Sequence, residues 1–181
     1  LPAAHATIES RVLEGNIGYL KLDVFHPALL DRALAAVDAL QSTEGMILDL
    51  RGNPGGVFTV RLRLAEKFVT EPTLFWRYRH RERERRVVLQ PADRPYTKPL
   101  VILTDYMSAS SSEEFAGAMQ DIGRATIIGE KTSGRVLVMN VAELPVGATF
   151  IYPVEQTMTA SGIVLEGRGV VPDVPVGLDL S

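Results

Sequence analysis

Hydrophobic and polar residues alternate at the start of the chain, and the pattern then changes to a helical period. The alternation predicts strands over residues 8–14 and 18–25, joined by a tight turn as in a hairpin. After Pro27, which suits a first helical turn, apolar residues recur every three or four positions as far as Leu40. The apolar run Met46–Leu50 then predicts a strand buried on both faces of a parallel sheet. This part of the chain therefore predicts a βαβ unit.

The segment from Leu100 to Ile122 is the one around which the chain is organised, since it predicts a strand, a turn and a helix in succession. The apolar run Leu100–Leu103 is followed by a turn of small and hydroxyl residues, Ser108–Ser112, and then by residues with helical spacing. Strand, turn and helix in this order present a hydroxyl at a helix N-terminus, where free backbone N–H groups favour a developing negative charge. Two interpretations are open: one serine is a nucleophile, or the serines only cap the helix, as in a capping box.

A loop rich in glycine, Arg51–Gly56, follows the strand Met46–Leu50. It lies just past the carboxyl end of that strand, which is where open α/β sheets bind ligands. Adjacent glycines can direct backbone N–H groups into a pocket, as an oxyanion hole requires. An ordinary glycine-rich turn is the alternative, and a phosphate loop is excluded because no Gly-Lys-Ser/Thr follows.

The other segments predict one further helix and several strands. Residues 57–69 have helical spacing, whereas Thr73–Leu89 alternate like a solvated hairpin in which Trp76 and Tyr78 pack on the sheet. Further strands are predicted, in chain order, at 125–129, from 136 onward, at 150–154 and at 158–164.

Composition narrows the class of protein. A length of 181 residues with 46% hydrophobic residues fits a single domain over 1–181. Within it, residues 1–15 are an N-terminal strand or a linker from a removed upstream subdomain. A net charge of −3 argues against nucleic acid as the main partner. No apolar run approaches the length of a membrane span.

The cysteine and histidine content limits the kinds of catalytic and metal site that the chain can form. The sequence contains no cysteine, which removes disulfides, thiolate catalysis and Cys-ligated metals. His5, His26 and His80 lie far apart without a metal-binding pattern, so neither a metal nor a cofactor is expected. The absence of cysteine is also compatible with an exported protein, and an exported, periplasmic or extracellular location is favoured over a cytoplasmic one.

Four motifs stand in one order along the chain. They are Ile47–Gly56, Ser108–Glu114, Gly129–Gly134 and Gly169–Asp173. Together they resemble the carboxy-terminal processing (tail-specific) serine peptidases, a superfamily that also holds the tricorn core protease and the interphotoreceptor retinoid-binding protein. The likeness runs from about residue 16 to residue 176. It implies an α/β fold, a crotonase/Clp-protease-like spiral with βαβ units, here as a peptidase core without the upstream helical subdomain.

The resemblance also implies roles for individual residues. Ser110, the middle serine of the family turn, matches the nucleophile. Backbone N–H groups of Ser111 and Gly56 match the oxyanion hole, with Gly55 the less favoured glycine. Glu166, in the segment that ends at Asp173, matches the glutamate of the Ser-His-Ser-Glu tetrad in tricorn-like members.

The general base is where the sequence departs from part of the family. Members with a Ser–Lys dyad carry the lysine where this chain has Arg135, and a supporting glutamine where it has Met139. Arginine stays protonated at any working pH and cannot act as a base. Lys131 and His5 are candidate substitutes for the base, but neither matches a base position of the family. The resemblance to the tricorn-like branch therefore implies a histidine from outside this chain.

These residues predict a serine endopeptidase core that cleaves polypeptides, either C-terminal tails or unfolded peptides, by acyl transfer through Ser110. Its partner would be a protein or peptide substrate, and the sequence is compatible with an oligomer. One alternative is a non-catalytic module of the same fold that binds a hydrophobic ligand such as a lipid or retinoid. Another is a stable core that is inactive alone because its base is missing.

Overall fold

The computed structural model describes residues 6–81, 83–145 and 147–177, and within them the chain forms two β-sheets and three α-helices. In chain order the elements are β1 Ile8–Leu13, β2 Ile17–Leu22, α1 Pro27–Ala39, β3 Gly45–Asp49, α2 Phe58–Ala65, a 3-10 helix Glu66–Phe68, β4 Thr73–His80, β5 Arg83–Leu89, β6 Leu100–Thr104, α3 Ser111–Asp121, β7 Thr126–Gly129, β8 Val138–Glu143, β9 Thr149–Thr159 and β10 Val174–Pro175.

The first sheet has the strand order β1-β2-β3-β6-β7-β10. Only β1 pairs antiparallel, with β2, and every other pairing in this sheet is parallel. The connection from β2 through α1 to β3 is the predicted βαβ unit, and the predicted α/β fold is confirmed. Because the strands are parallel, the loops after β3, β6 and β7 all leave from the same edge.

The second sheet is antiparallel, with the order β5-β4-β9-β8. Helix α3 contacts strands of both sheets, and Phe115 at its centre packs against the rings of Phe25, Phe68 and Phe75. All four rings are buried. This aromatic cluster anchors α3 in the core.

Most element predictions are confirmed, and three needed correction. The predicted helix over 57–69 is an α-helix that becomes a 3-10 helix at Glu66. Trp76 and Tyr78 pack on the sheet as predicted, but Phe75 is buried as well, because the register shifts between Leu74 and Trp76.

The two strands predicted at 150–154 and 158–164 are in fact one strand, β9, followed by a turn at 160–163. The polar residues in the middle of β9 concealed its continuity. They lie where β9 exchanges one neighbour for another, since 149–155 pair with β8 and 156–159 pair with β4.

No helix in the described part of the chain is long and apolar enough to cross a membrane. The prediction of a single domain over 1–181, with 1–15 as a strand or linker, stays a prediction, although residues 8–13 do form a strand.

Candidate active site

The turn between β6 and α3 holds Ser110 in an unusual backbone conformation. Its φ is 53° and its ψ is −120°, and Ser110 is the N-cap of α3. A residue other than glycine in this region costs of order 1–3 kcal/mol, and such strain clusters at functional sites. Nucleophile elbows have the same construction, a strained strand-to-helix turn that exposes a serine hydroxyl. The capping contact of this turn joins Ser110 to Glu113, and α3 begins at Ser111.

The other serines of this turn bind the glycine-rich loop. Their hydroxyls donate to carbonyl oxygens, Ser108 to Leu50 at 2.9 Å, Ser111 to Gly56 at 2.8 Å and Ser112 to Asn53 at 2.9 Å. These three bonds join the two loops that follow β3 and β6. Ser110 is the one serine of the turn whose hydroxyl is not used in this way.

The two adjacent glycines pack too closely for any side chain. A Cβ on Gly55 would lie 2.7 Å from the Ser110 Cβ, and a Cβ on Gly56 would lie 2.3 Å from the carbonyl oxygen of Phe25. Their φ angles, +103° and +132°, are also those that glycine alone adopts readily. The glycine-rich loop therefore lies directly against the turn that holds Ser110.

The backbone N–H groups of this loop differ in their availability. Gly55 N–H donates to the side chain of Asn53 at 2.9 Å. Gly56 N–H and Ser111 N–H form no hydrogen bond within residues 6–81, 83–145 and 147–177. Gly56 and Ser111, whose N–H groups are free, are the two residues that the sequence favoured for an oxyanion hole. Gly55, the less favoured glycine, has an N–H group that is already hydrogen-bonded.

A buried carboxylate, Glu113, fixes a third loop against the turn that holds Ser110. It accepts five hydrogen bonds, from the N–H groups of Ser110 at 3.1 Å, Gly134 at 2.6 Å and Arg135 at 2.8 Å, and from the hydroxyls of Thr132 at 2.5 Å and Ser133 at 3.2 Å. The Ser-x-x-Glu spacing predicted a capping contact to Ser110 but not the bonds to residues 132–135. Through Glu113, the loop after β7 is held beside Ser110.

Arg135 is hydrogen-bonded to Ser110 through its backbone. Its carbonyl oxygen accepts a hydrogen bond from Ser110 N–H at 3.0 Å, and its side chain is exposed. Lys131 and Met139 are exposed too. In the part of the chain that the structure describes, no histidine or lysine side chain is hydrogen-bonded to Ser110. His5 lies outside the described residues.

Glu166 lies in the segment between β9 and β10, which contacts the loop after β7. Its carboxylate accepts a hydrogen bond from Val136 N–H at 2.8 Å, and Gly167 N–H donates to the Gly134 carbonyl at 2.8 Å. The segment that carries Glu166 therefore packs on the loop that contacts Ser110. The structure thus brings Gly55, Gly56, Ser110 and Ser111 together at one turn, and Glu166 contacts the residue that follows Arg135.

A buried ion pair, which sequence reasoning missed, joins helices α2 and α3. The guanidinium of Arg61 is paired with Glu114, donates to the Tyr78 hydroxyl at 3.0 Å and lies 5.0 Å from the ring centre of Phe58. Burial lowers the pKa of Arg61. Since α2 follows Gly56 and α3 follows Ser110, this pair connects the helices behind the two free N–H groups.

Another buried carboxylate, Asp49, lies at the carboxyl end of β3. It accepts bonds from the Arg51 side chain at 2.9 and 2.6 Å and from the Tyr19 hydroxyl at 2.7 Å. Burial alone would raise the pKa of Asp49, but these hydrogen bonds outweigh it and lower the pKa overall. The same contact, together with burial, raises the pKa of Tyr19.

A cavity of about 470 Å³ opens at the carboxyl edge of the parallel sheet. Its charged and aromatic lining residues are Lys21, Arg51, Asp105, Tyr106 and Glu130. Ser110 is not among the residues that line it. The cavity therefore borders the start of the connection that carries Ser110, through Asp105 and Tyr106, but does not include Ser110 itself.

Comparison with known proteins agrees with this geometry. The profile of peptidase family S41 matches residues 16–176. A carboxyl-terminal-processing protease of Synechocystis sp. is 32% identical over 160 residues, which cover 87% of this chain and 37% of the relative. The chain thus spans well under half the length of this relative.

Two solved structures have the same fold. The photosystem II D1 C-terminal processing protease aligns with a TM-score of 0.82 and 26% identity, over 95% of this chain and 48% of its own. The tricorn protease aligns with a TM-score of 0.64 and 20% identity, over 91% of this chain and 16% of its own, which shows the fold alone. The match over nearly the whole chain shows that it belongs to peptidase family S41.

Proposed function

We propose that this chain is the core of a serine endopeptidase that cleaves polypeptides by acyl transfer through Ser110. Ser110 Oγ attacks the carbonyl carbon of the scissile peptide bond. The bond to the leaving amine then breaks, and water hydrolyses the resulting acyl-enzyme. Protein or peptide segments, including C-terminal tails, are the substrates, and an exported or periplasmic location belongs to the same proposal.

One observation carries the proposal: a strained serine lies beside two N–H groups that have no acceptor within the described residues. The N–H groups of Gly56 and Ser111 would hold the negative oxygen of the tetrahedral intermediate. Preorganised donors of this kind are effective because they need no reorganisation during the reaction, and loss of one typically costs about 10²–10³ in rate. The other serines of the turn are committed to backbone carbonyls.

The proton acceptor in this proposal is a histidine from outside this segment, with Glu166 in support. The hydrogen bond from Val136 N–H leaves the second oxygen of Glu166 available to orient an imidazole. Arg135 does not serve as the base, because its guanidinium remains charged.

The test uses the longest natural form of the protein, treated with a fluorophosphonate and with an unstructured protein substrate. We expect covalent labelling of Ser110, mapped by mass spectrometry, and hydrolysis that the label abolishes. Ser110→Ala should lose both, whereas Ser42→Ala, at an exposed serine, should keep both. Undiminished hydrolysis by the Ser110→Ala variant would refute the assignment.

A further inference from the structure

We propose that Arg135 binds a carboxylate of the substrate beside Ser110, so that the site favours peptides with a carboxylate next to the scissile bond. This carboxylate is either the free C-terminus of the peptide or an acidic side chain. The inference rests on the proposed function, since it names the substrate class of the same site.

The backbone of Arg135 is fixed relative to the nucleophile. Its N–H donates to Glu113 at 2.8 Å, and its carbonyl oxygen accepts from Ser110 N–H at 3.0 Å. Glu113 is in turn fully buried. A residue held on both sides in this way has little freedom except in its side chain, and the arginine side chain is long enough to reach over an adjacent turn.

The positive charge of Arg135 is not neutralised by the protein. Its exposed side chain forms no hydrogen bond or ion pair in the described ranges, in contrast to Arg51 and Arg77, which are paired with Asp49 and Glu84. The neighbouring carboxylate of Glu113 is already engaged by its five donors. The guanidinium therefore keeps its hydrogen-bonding capacity for a ligand.

The chemistry of a carboxylate matches this arrangement. Its two coplanar oxygens fit the fork of a guanidinium, a geometry that lysine does not reproduce. The free N–H groups of Gly56 and Ser111 also favour negative charge near Ser110. A peptide amine would instead be repelled by Arg135, so the site discriminates by the sign of the substrate's charge.

An NMR titration of the ¹⁵N-labelled chain tests this directly, since it detects weak binding and reports the arginine Nε–H. The probes are an alanine-rich hexapeptide with a free C-terminal carboxylate, the same peptide as its C-terminal amide, and the amide with one internal glutamate. We expect a carboxylate peptide to shift the Arg135 Nε–H signal and to bind about threefold to tenfold more tightly than the plain amide. Comparison of the first and third probes identifies which source of carboxylate is preferred.

Variants provide the controls. Arg135→Gln should abolish the preference, Arg135→Lys should keep only part of it, and Arg168→Gln, an exposed arginine of the adjacent loop, should leave it unchanged. A preference that survives in Arg135→Gln, or no binding of any probe, overturns the inference. Ser110 labelling reports the hydrolytic function separately: labelling without carboxylate preference refutes only this inference, and preference without labelling refutes only the hydrolysis.

Discussion

Two consecutive carboxylates at the start of α3 are both buried, yet the protein satisfies them in different ways. Glu113 is 0% exposed and is surrounded by five neutral donors from Ser110 and the loop after β7. Glu114 is 6% exposed and faces α2, where it is paired with the guanidinium of Arg61. Glu113 is thus satisfied by a network of hydrogen bonds, and Glu114 by an ion pair.

The two arrangements have different roles: the hydrogen bonds of Glu113 position Ser110, and the ion pair of Glu114 holds α3 against α2. Neutral donors satisfy Glu113 without a second buried charge, and their geometry fixes the backbone around Ser110. A buried ion pair requires both charges to be desolvated, so it adds little net stability but is costly to break. We therefore expect substitutions on the Glu113 side to affect reactivity most, and substitutions on the Glu114 side to affect stability most.

The largest change in stability should come from removing one partner of the Arg61–Glu114 ion pair. Arg61→Met leaves the carboxylate of Glu114 buried without a partner and should lower the free energy of unfolding by about 3–5 kcal/mol. The double variant Arg61→Met/Glu114→Leu should recover most of that loss. Urea denaturation of both variants measures this. If the double variant is as unstable as the single one, the pair is not the source of the cost.

Substitution of the other carboxylate should reduce stability less but reactivity more. Glu113→Gln presents an NH₂ group to a site filled with donors, and should lower the free energy of unfolding by about 2–3 kcal/mol. We expect labelling of Ser110 to slow at least about 100-fold, since the oxyanion donors lose their alignment. The exposed Glu143→Gln serves as control. Unchanged labelling in a folded Glu113→Gln variant would contradict the division of roles.

Substitutions in the glycine-rich loop test the packing around Ser110 more directly. Gly55→Ala places a methyl group 2.7 Å from the Ser110 Cβ and should suppress labelling, whereas a methyl group on Gly52 would meet no atom within 4 Å. Both glycines have positive φ, so alanine strains the backbone in both variants, and the close contact with Ala109 and Ser110 is what distinguishes Gly55→Ala. Labelling rates of the two variants, compared at equal folded fraction, measure that contact.

The smallest expected change in stability concerns Asp49. This buried carboxylate has both a charged and a neutral partner, since it accepts hydrogen bonds from Arg51 and from Tyr19. Because its pKa is lowered in the folded state, it stabilises the fold above its unfolded pKa of about 3.9, and that contribution is lost as the pH falls through the folded value. Asp49→Asn should therefore be less stable than the wild type at pH 7, with a shallower loss of stability in acid. Thermal unfolding between pH 7 and pH 2 tests this, and parallel curves would contradict it.

The local pattern predicted most of the fold, because hydrophobic periodicity and turn residues are local properties. It also placed the Ser108–Ser112 turn and the Arg51–Gly56 loop directly after apolar segments, but the family resemblance, and not the local pattern, singled out Ser110, Ser111 and Gly56. The continuity of β9 was missed, because polar residues lie where that strand changes neighbours.

Contacts between distant segments could not be predicted from the sequence. The spacing of Ser110 and Glu113 indicated a cap, but nothing local indicates that Glu113 also binds residues 132–135. Arg61 stands among the apolar positions of a helix, and only the packing of α2 on α3 explains why it is buried.

The central claim is that Ser110, Gly56 and Ser111 form one reactive site, and a crystal structure of the fluorophosphonate adduct tests it most directly. We expect phosphorus bonded to Ser110 Oγ and the phosphoryl oxygen about 2.7–3.1 Å from the N–H groups of Gly56 and Ser111. An adduct on another residue, or a phosphoryl oxygen directed away from both N–H groups, would contradict the account.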